Sequence, residues 1–250
     1  MILGIDATNW IHSTWHAQRG TGVLPMICRR IEALVDRLSP SHVVACFDRR
    51  SFRHDLFPPY KAGRKEKPEG LLRDLEEGPA AVAAIATLCA QDGFEADDCL
   101  AALAVAGQQL GQQVILASPD KDLRQCLVEG QVTTIRSFTL VGGEAHNLEW
   151  FPAAKLKKDF DLVPAQWPDY QTLCGDPTDG IPGCPGWGEV TTLAAMQRAG
   201  SLAAMLANVW ALPITPKQQA SLLKFQPKVE TMRQLVTLRT EVAAVWDALR

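Results

Sequence analysis

At 250 residues the chain is long enough to bury a sizeable core, as one large domain or as a domain with an appendage. Its 47% hydrophobic and 21% charged residues exclude a disordered or fibrous chain, whereas a net charge of −3 by itself excludes no partner. The seven cysteines form no Cys-x-x-Cys pair, which argues against a disulfide frame or zinc site and predicts reduced thiols in a cytoplasmic protein.

The N-terminus has no basic segment followed by a long apolar core, and no apolar run is long enough to span a membrane. Ile2 to Ile5 reads as a buried strand ending at Asp6. A helix over about Cys28 to Leu38 leads to a second strand, His42 to Phe47, which ends at Asp48. A third strand, Gln113 to Ala117, runs into Ser118-Pro119-Asp120-Lys121-Asp122. Strands separated by helical segments predict a mostly parallel sheet flanked by helices, an α/β fold. Functional groups collect beyond the carboxyl ends of such strands, which places Asp6, Asp48, Asp120 and Asp122 along one edge. One Asp after a strand is usually a turn former or helix cap. Three strands that each end in Asp point to a shared site.

Between the second and third strands stands Phe94-Glu95-Ala96-Asp97-Asp98, directly before the apolar run Cys99 to Ala104. With a helix starting near Glu95, Glu95 and Asp98 share a face at i, i+3, and Asp97 points elsewhere. A single acid there would suit the helix dipole. Three repel one another, and a hard divalent cation with oxygen ligands relieves the repulsion.

The segment Arg49 to Lys67 carries seven Lys/Arg against two acids. Its prolines and glycines exclude one continuous helix. Interleaved cations and an aromatic (Arg53, Tyr60, Lys61, Arg64, Lys65, Lys67) suit phosphate contact with base stacking. Gln131 to Val141 reads as strand and hairpin with a turn at Gly142-Gly143. From Leu148 onward the texture is helical, broken by Pro164, Pro168, Pro213 and Pro216. Within it, Gly183-x-x-Gly186-x-Gly188 precedes the helical run Leu193 to Met196 and can bring backbone N–H groups up to a phosphate. Asp176 and Asp179 stand just before it. Lys217 to Arg250 reads as an amphipathic helical tail whose job is packing.

The set Asp6, Asp48, Tyr60-Lys61-x-x-Arg64, Glu95-Ala96-Asp97-Asp98, Asp120-Lys121-Asp122-Leu123 and Gly175-Asp176…Asp179…Gly183…Gly186-x-Gly188 resembles the structure-specific 5′-nucleases. That family contains the flap endonucleases and the 5′-nuclease domain of bacterial DNA polymerase I. The likeness runs through nearly the whole chain in order. It implies a PIN-like α/β core over residues 1–150 with a flexible helical arch at about 53–78. It also implies a helical region, 151–250, whose helix–three-turn–helix (about 173–206) grips duplex DNA. The implied activity is two-metal hydrolysis of DNA phosphodiesters where a 5′ single strand meets duplex, in replication or repair.

The resemblance assigns one Mg²⁺ to Asp6, Asp48, Glu95 and Asp98 with help from Asp97. It assigns a second to Asp120, Asp122, Asp176 and Asp179, Mn²⁺ substituting for either. Lys61 and Arg64 would steer the scissile phosphate, Tyr60 would stack on a base, and Arg53, Lys65 and Lys67 would contact DNA. Gly183, Gly186, Gly188 and Thr191 would bind the duplex backbone, with K⁺ at that loop. The partners implied are DNA with 5′ flaps, nicks or 5′ ends, and RNA–DNA hybrids, with no membrane. No polymerase domain follows, so a stand-alone monomeric nuclease of bacterial or phage type is expected. The chain departs from the family at Val190-Thr191-Thr192, where a Lys is usual, at Ser13, where Arg is usual, and in a shorter segment between Leu88 and Glu95. Two other classes fit less well. A PIN-type ribonuclease would not need Asp176, Asp179 and the glycine loop, and a non-catalytic junction binder would lack ligands that are all present.

Overall fold

A computed structural model describes all 250 residues. In chain order they form β1 (Ile2–Asp6), α1 (Ala7–Ala17), α2 (Val23–Leu38), β2 (His42–Cys46), α3 (Arg53–Leu56), α4 (Glu69–Val82), β3 (Thr87–Cys89), α5 (Ala96–Gln109), β4 (Val114–Ala117) and β5 (Val132–Ile135). There follow β6 (Thr139–Val141), β7 (Glu144–His146), β8 (Trp150–Phe151), α6 (Ala153–Phe160), α7 (Trp167–Cys174), β9 (Gly175–Asp176) and β10 (Ile181–Pro182). The remaining helices are α8 (Glu189–Ala199), α9 (Leu202–Ala207), α10 (Pro216–Phe225), α11 (Val229–Val236) and α12 (Ala244–Ala248). No helix is long and apolar enough to cross a membrane.

The sequence alone suggested one boundary, at residue 150. The chain instead divides into two discontinuous units. The first comprises Met1–Ser51, Lys65–Pro152 and Arg239–Arg250; the second comprises Phe52–Arg64 and Ala153–Leu238. Residues 239–250 join the first because α12 packs on α5 and β3. The expected amphipathic tail is therefore not one body.

The first unit is built on a six-stranded sheet in the order β3-β2-β1-β4-β5-β8, parallel except where β8 meets β5. β1 lies at its centre and all five of its residues are buried. Beside it, Gly4 lets α5 approach: a Cβ there would fall 2.7 and 2.8 Å from the side chains of Leu103 and Leu100. This close seat brings the first turn of α5 to the carboxyl ends of the strands. The hairpin expected around Gly142-Gly143 is present as β6 and β7. The region 53–78 is not a single free arch, since Glu69–Val82 is helix α4 of the first unit. Its Leu71, Leu75, Gly78 and Val82 repeat at helical spacing and pack it on α1 and α2. All seven cysteines are free.

The second unit is helical apart from the short β9–β10 pair. Asp169 on α7 ties it together, accepting the Leu202 N–H at 2.9 Å and Arg233 Nε at 2.9 Å. Trp167 is buried, with its ring 5.3 Å from Phe160 and 4.8 Å from Tyr170.

Candidate active site

In the first unit the sheet delivers acids from three neighbouring strands. Asp6, the last residue of β1, caps α1: its Oδ1 accepts the Asn9 N–H at 2.9 Å, and its Oδ2 accepts the Ser118 hydroxyl at 2.8 Å. Ser118 follows β4 and also accepts the Asp120 N–H at 3.1 Å, while Asp120 Oδ1 accepts the Asp122 N–H at 2.8 Å. Asp48, just past β2, accepts the Ala96 N–H at 2.8 Å, and its own N–H donates to Thr8 Oγ1 at 2.8 Å. Ser118 and Thr8 are thus positioning residues that the sequence reading missed. Each stands two residues from an acid beyond a strand, or in the helix that such an acid caps, which was the available signal.

Asp97 completes the group. One of its oxygens, Oδ1, is buried and meets no hydrogen-bond partner. Burial, then the charges of Asp120, Asp6, Asp122 and Asp48, hold its pKa well above the carboxylate range. Burial and Asp48 push Asp6 up to about 7. These shifts describe one condition, a set of carboxylates crowded together so that each raises its neighbours' affinity for a proton or a cation. The donor set fits Mg²⁺ or Mn²⁺, all hard oxygen, with one buried oxygen still lacking a partner. No three groups form a preassembled cage. Mg²⁺ does not require one, since it keeps several waters and takes one or two carboxylates plus phosphate.

The roles of Asp97 and Asp98 are the reverse of the expectation from i, i+3 spacing. Glu95 is not in the helix but is its N-cap, with extended backbone (φ −95°, ψ 168°). Asp98 therefore occupies the third helical position and folds back, accepting the Glu95 N–H at 3.0 Å through one oxygen and the Arg239 N–H at 2.8 Å through the other. It is fully buried and committed to the fold, while Asp97 faces the other acids. Glu95 is buried.

Several residues of the second unit also depart from expectation. Arg53, read as a DNA contact, is buried, with Nε bonded to Leu235 O at 2.8 Å and Nη2 to Thr237 O at 3.2 Å. Tyr60, read as a base-stacking ring, is only 4% exposed. Its hydroxyl donates to Asp179 at 3.1 Å, His54 meets its ring edge-on at 5.3 Å, and Lys61 Nζ lies 4.8 Å over it. Asp179, read as a metal ligand, also pairs with Lys61 at 3.7 Å and Arg64 at 2.5 Å. Its carboxylate is thus the anchor of the Tyr60–Arg64 segment. Asp176 is buried and accepts the Thr178 N–H at 2.9 Å. Lys65 and Lys67, which belong to the first unit, are exposed.

The glycine loop is braced from α10. Trp187 Nε1 donates to Gln218 O at 3.2 Å, Gln218 Nε2 to Gly186 O at 3.3 Å and Thr191 Oγ1 at 3.0 Å, and Ser221 to Pro185 O at 2.6 Å. Gly183 packs so closely that a Cβ would stand 2.5 Å from the backbone of Cys174 and Leu173. Gly188 caps α8, no side chain closes that helix terminus, and Val190 in its first turn is 83% exposed.

Two family models match the chain: 5′-3′ exonuclease, N-terminal resolvase-like domain, over residues 1–161, and 5′-3′ exonuclease, C-terminal SAM fold, over 162–249. Flap endonuclease Xni of Yersinia pseudotuberculosis serotype O:1b is 31% identical over 246 residues, 96% of this chain and 93% of the relative. The protein of the same name from Edwardsiella ictaluri is 32% identical over 247 residues, 97% and 93% of the two chains. Among solved structures, the T5 5′-exonuclease with bound zinc superposes with a TM-score of 0.82 at 19% identity, over 99% of this chain and 93% of that one. The catalytic core of Rad2 in complex with DNA substrate gives 0.60 at 17% identity, over 97% and 79%. These two share the fold.

Proposed function

The chain belongs to the 5′-3′ exonuclease family, and from that membership we propose a structure-specific 5′ nuclease that hydrolyses DNA phosphodiesters near single-strand/duplex junctions with two divalent ions. The observation that carries this reading is the buried, unpartnered oxygen of Asp97 among Asp6, Asp48, Asp120 and Asp122. Asp6, Asp48 and Asp97 with Glu95, and Asp120 with Asp122, are the groups that would hold Mg²⁺, or Mn²⁺ in its place. Asp176 is kept as a further ligand on the family resemblance alone. The bound ions supply charge neutralisation and lower the pKa of the attacking water.

The chain's own part is positioning. Ser118 and Thr8 fix the carboxylate edge, and the capping contact of Asp98 fixes the α5 turn that presents Asp97. Lys61 and Arg64 are the candidates for steering the scissile phosphate, and their pairing with Asp179 sets where they stand. The substrates proposed are 5′ flaps, nicks and 5′ ends, with RNA–DNA hybrids. K⁺ at the glycine loop would draw on carbonyls of Pro185 and Gly186 that already accept side-chain bonds. A cleavage assay on matched flap, nicked, blunt and RNA–DNA substrates tests the reading. Cutting near the junction that stops with EDTA is expected, and DNA bound but uncut in Mg²⁺ would sink it.

Val190 offers a separate check on the loop. Its side chain is exposed, so Val190→Lys adds a cation without disturbing the core. Tighter duplex binding is expected, with a salt dependence steeper by about 0.9 in log–log slope, one phosphate's worth. An unchanged slope in salt titrations of both proteins would mean that this helix terminus does not meet the duplex.

A further inference from the structure

In the first unit, apart from the carboxylates, a cavity of about 340 Å³ opens between α1, α2 and β6, lined by Ser13, Thr14, Arg30, Phe138 and Leu140 among others. The Arg30 guanidinium fills the angle between two rings. Its Cζ lies 4.5 Å from the Trp10 centroid and 4.9 Å from that of Phe138, and the rings are 5.8 Å apart at 53°. The two rings flank the same side of the cation and offer no acceptor to its in-plane N–H donors. Arg30 makes no ion pair, and burial is the sole cause that draws its pKa down. Arg53, the other enclosed arginine, spends its donors on two carbonyls instead. Thr14 lines the same cavity, 4% exposed, and its hydroxyl has no partner.

A desolvated guanidinium without a counter-charge is costly, and its planar fork matches a phosphate through two parallel hydrogen bonds. No acid lines the cavity, in contrast to the strand edge. Phe138, Leu140 and Met26 offer an apolar wall for a sugar or base. The volume suits one nucleotide. Because α1 starts directly after Asp6, Ser13 and Thr14 lie about 10 Å along its axis from that acid, within reach of a strand cleaved at the carboxylates.

We propose that this cavity is a phosphate subsite for one nucleotide of the bound DNA strand, with Arg30 gripping the phosphodiester. The assignment of the ligand to a strand rests on the 5′-nuclease reading, so the two are tested separately. Flap-DNA binding is measured by salt titration in Ca²⁺, and single-turnover cleavage in Mg²⁺, for wild type, Arg30→Gln and Ala17→Glu. Ala17 is an exposed residue at the cavity mouth, so the second variant repels an anion without disturbing the rings. Both variants should bind about tenfold more weakly. Arg30→Gln should lose about 0.9 of the salt slope. Cleavage of saturated substrate should stay within about twofold, since neither residue touches the carboxylates.

Unchanged affinity and slope in a folded Arg30→Gln, or in Ala17→Glu, would overturn the subsite. If inorganic phosphate raises the Tm of wild type but not of Arg30→Gln while DNA binding is equal, the cavity serves a free anion and the strand assignment is wrong. A wild type that binds flap DNA but cleaves none would instead overturn the nuclease reading, and the strand assignment with it.

Discussion

Asp97→Asn should reduce Mg²⁺-dependent cleavage roughly 10²–10³-fold or more while making the ion-free protein more stable at neutral pH. The two effects share one cause. In the native state burial and four neighbouring acids hold the Asp97 pKa far above its ordinary 3.8, so ionising it weakens the fold. The folded form binds protons more tightly than the unfolded form, and wild-type stability therefore falls as pH rises through and beyond that ordinary value. Asp6 adds the same slope between 3.8 and about 7. An amide has no charge to desolvate, so the variant should match wild type near pH 4 and exceed it at pH 8. Adding Mg²⁺ should raise the wild-type Tm more than the variant's. Asp120→Ala should lose cleavage to a similar extent while DNA binding stays measurable. Near-normal turnover in Asp97→Asn, or an equal Mg²⁺ effect on both melting curves, would remove this cluster from the chemistry.

The next largest effect expected is on the second unit. Gly183→Ala forces a Cβ to 2.5 Å from the Cys174 carbonyl and the Leu173 oxygen, which are backbone atoms that cannot step aside. It also threatens the adjoining Cys184 N–H bond to Leu173 O, 2.8 Å long. A loss of about 3 kcal/mol or more is expected, at the upper end for overpacking. Gly188→Ala is the matched control, because nothing lies within 4 Å of the added Cβ and its φ of −103° suits any residue. Gly188→Ala should melt like wild type. Weaker duplex binding by that variant with an unchanged melting curve would place DNA against Gly188. If Gly183→Ala melts like wild type, the packing argument for this loop is wrong.

The acids that end β1 and follow β2 and β4 were legible in the sequence because a buried parallel strand announces itself by composition and its terminus by the first charge. The parallel sheet followed for the same reason. The choice between Asp97 and Asp98 was not legible, since it depended on whether Glu95 stands inside the helix or caps it, a shift of one residue that turns the face by about 100°. Arg53 and Tyr60 looked exposed because cations and an aromatic in a Pro/Gly-rich segment usually are. The Leu235 and Thr237 carbonyls and the Asp179 carboxylate, all distant in sequence, help make their burial tolerable. The return of residues 239–250 to the first unit rests on contacts such as Ala244 N–H to Gln91, and no local pattern encodes it.

That return has a consequence for the order in which a ribosome can finish the protein. The Asp98 carboxylate that pins the first turn of α5 takes a backbone donor from Arg239, and α12 packs on α5 and β3. All of Ala153–Leu238 must therefore be translated before this part of the acid-bearing unit can close, a wait of several seconds at about 5–20 residues per second. During that wait the second unit has its whole C-terminal segment in hand and the first does not. The helical unit is thus free to fold early, while the strand edge that carries the carboxylates is completed late.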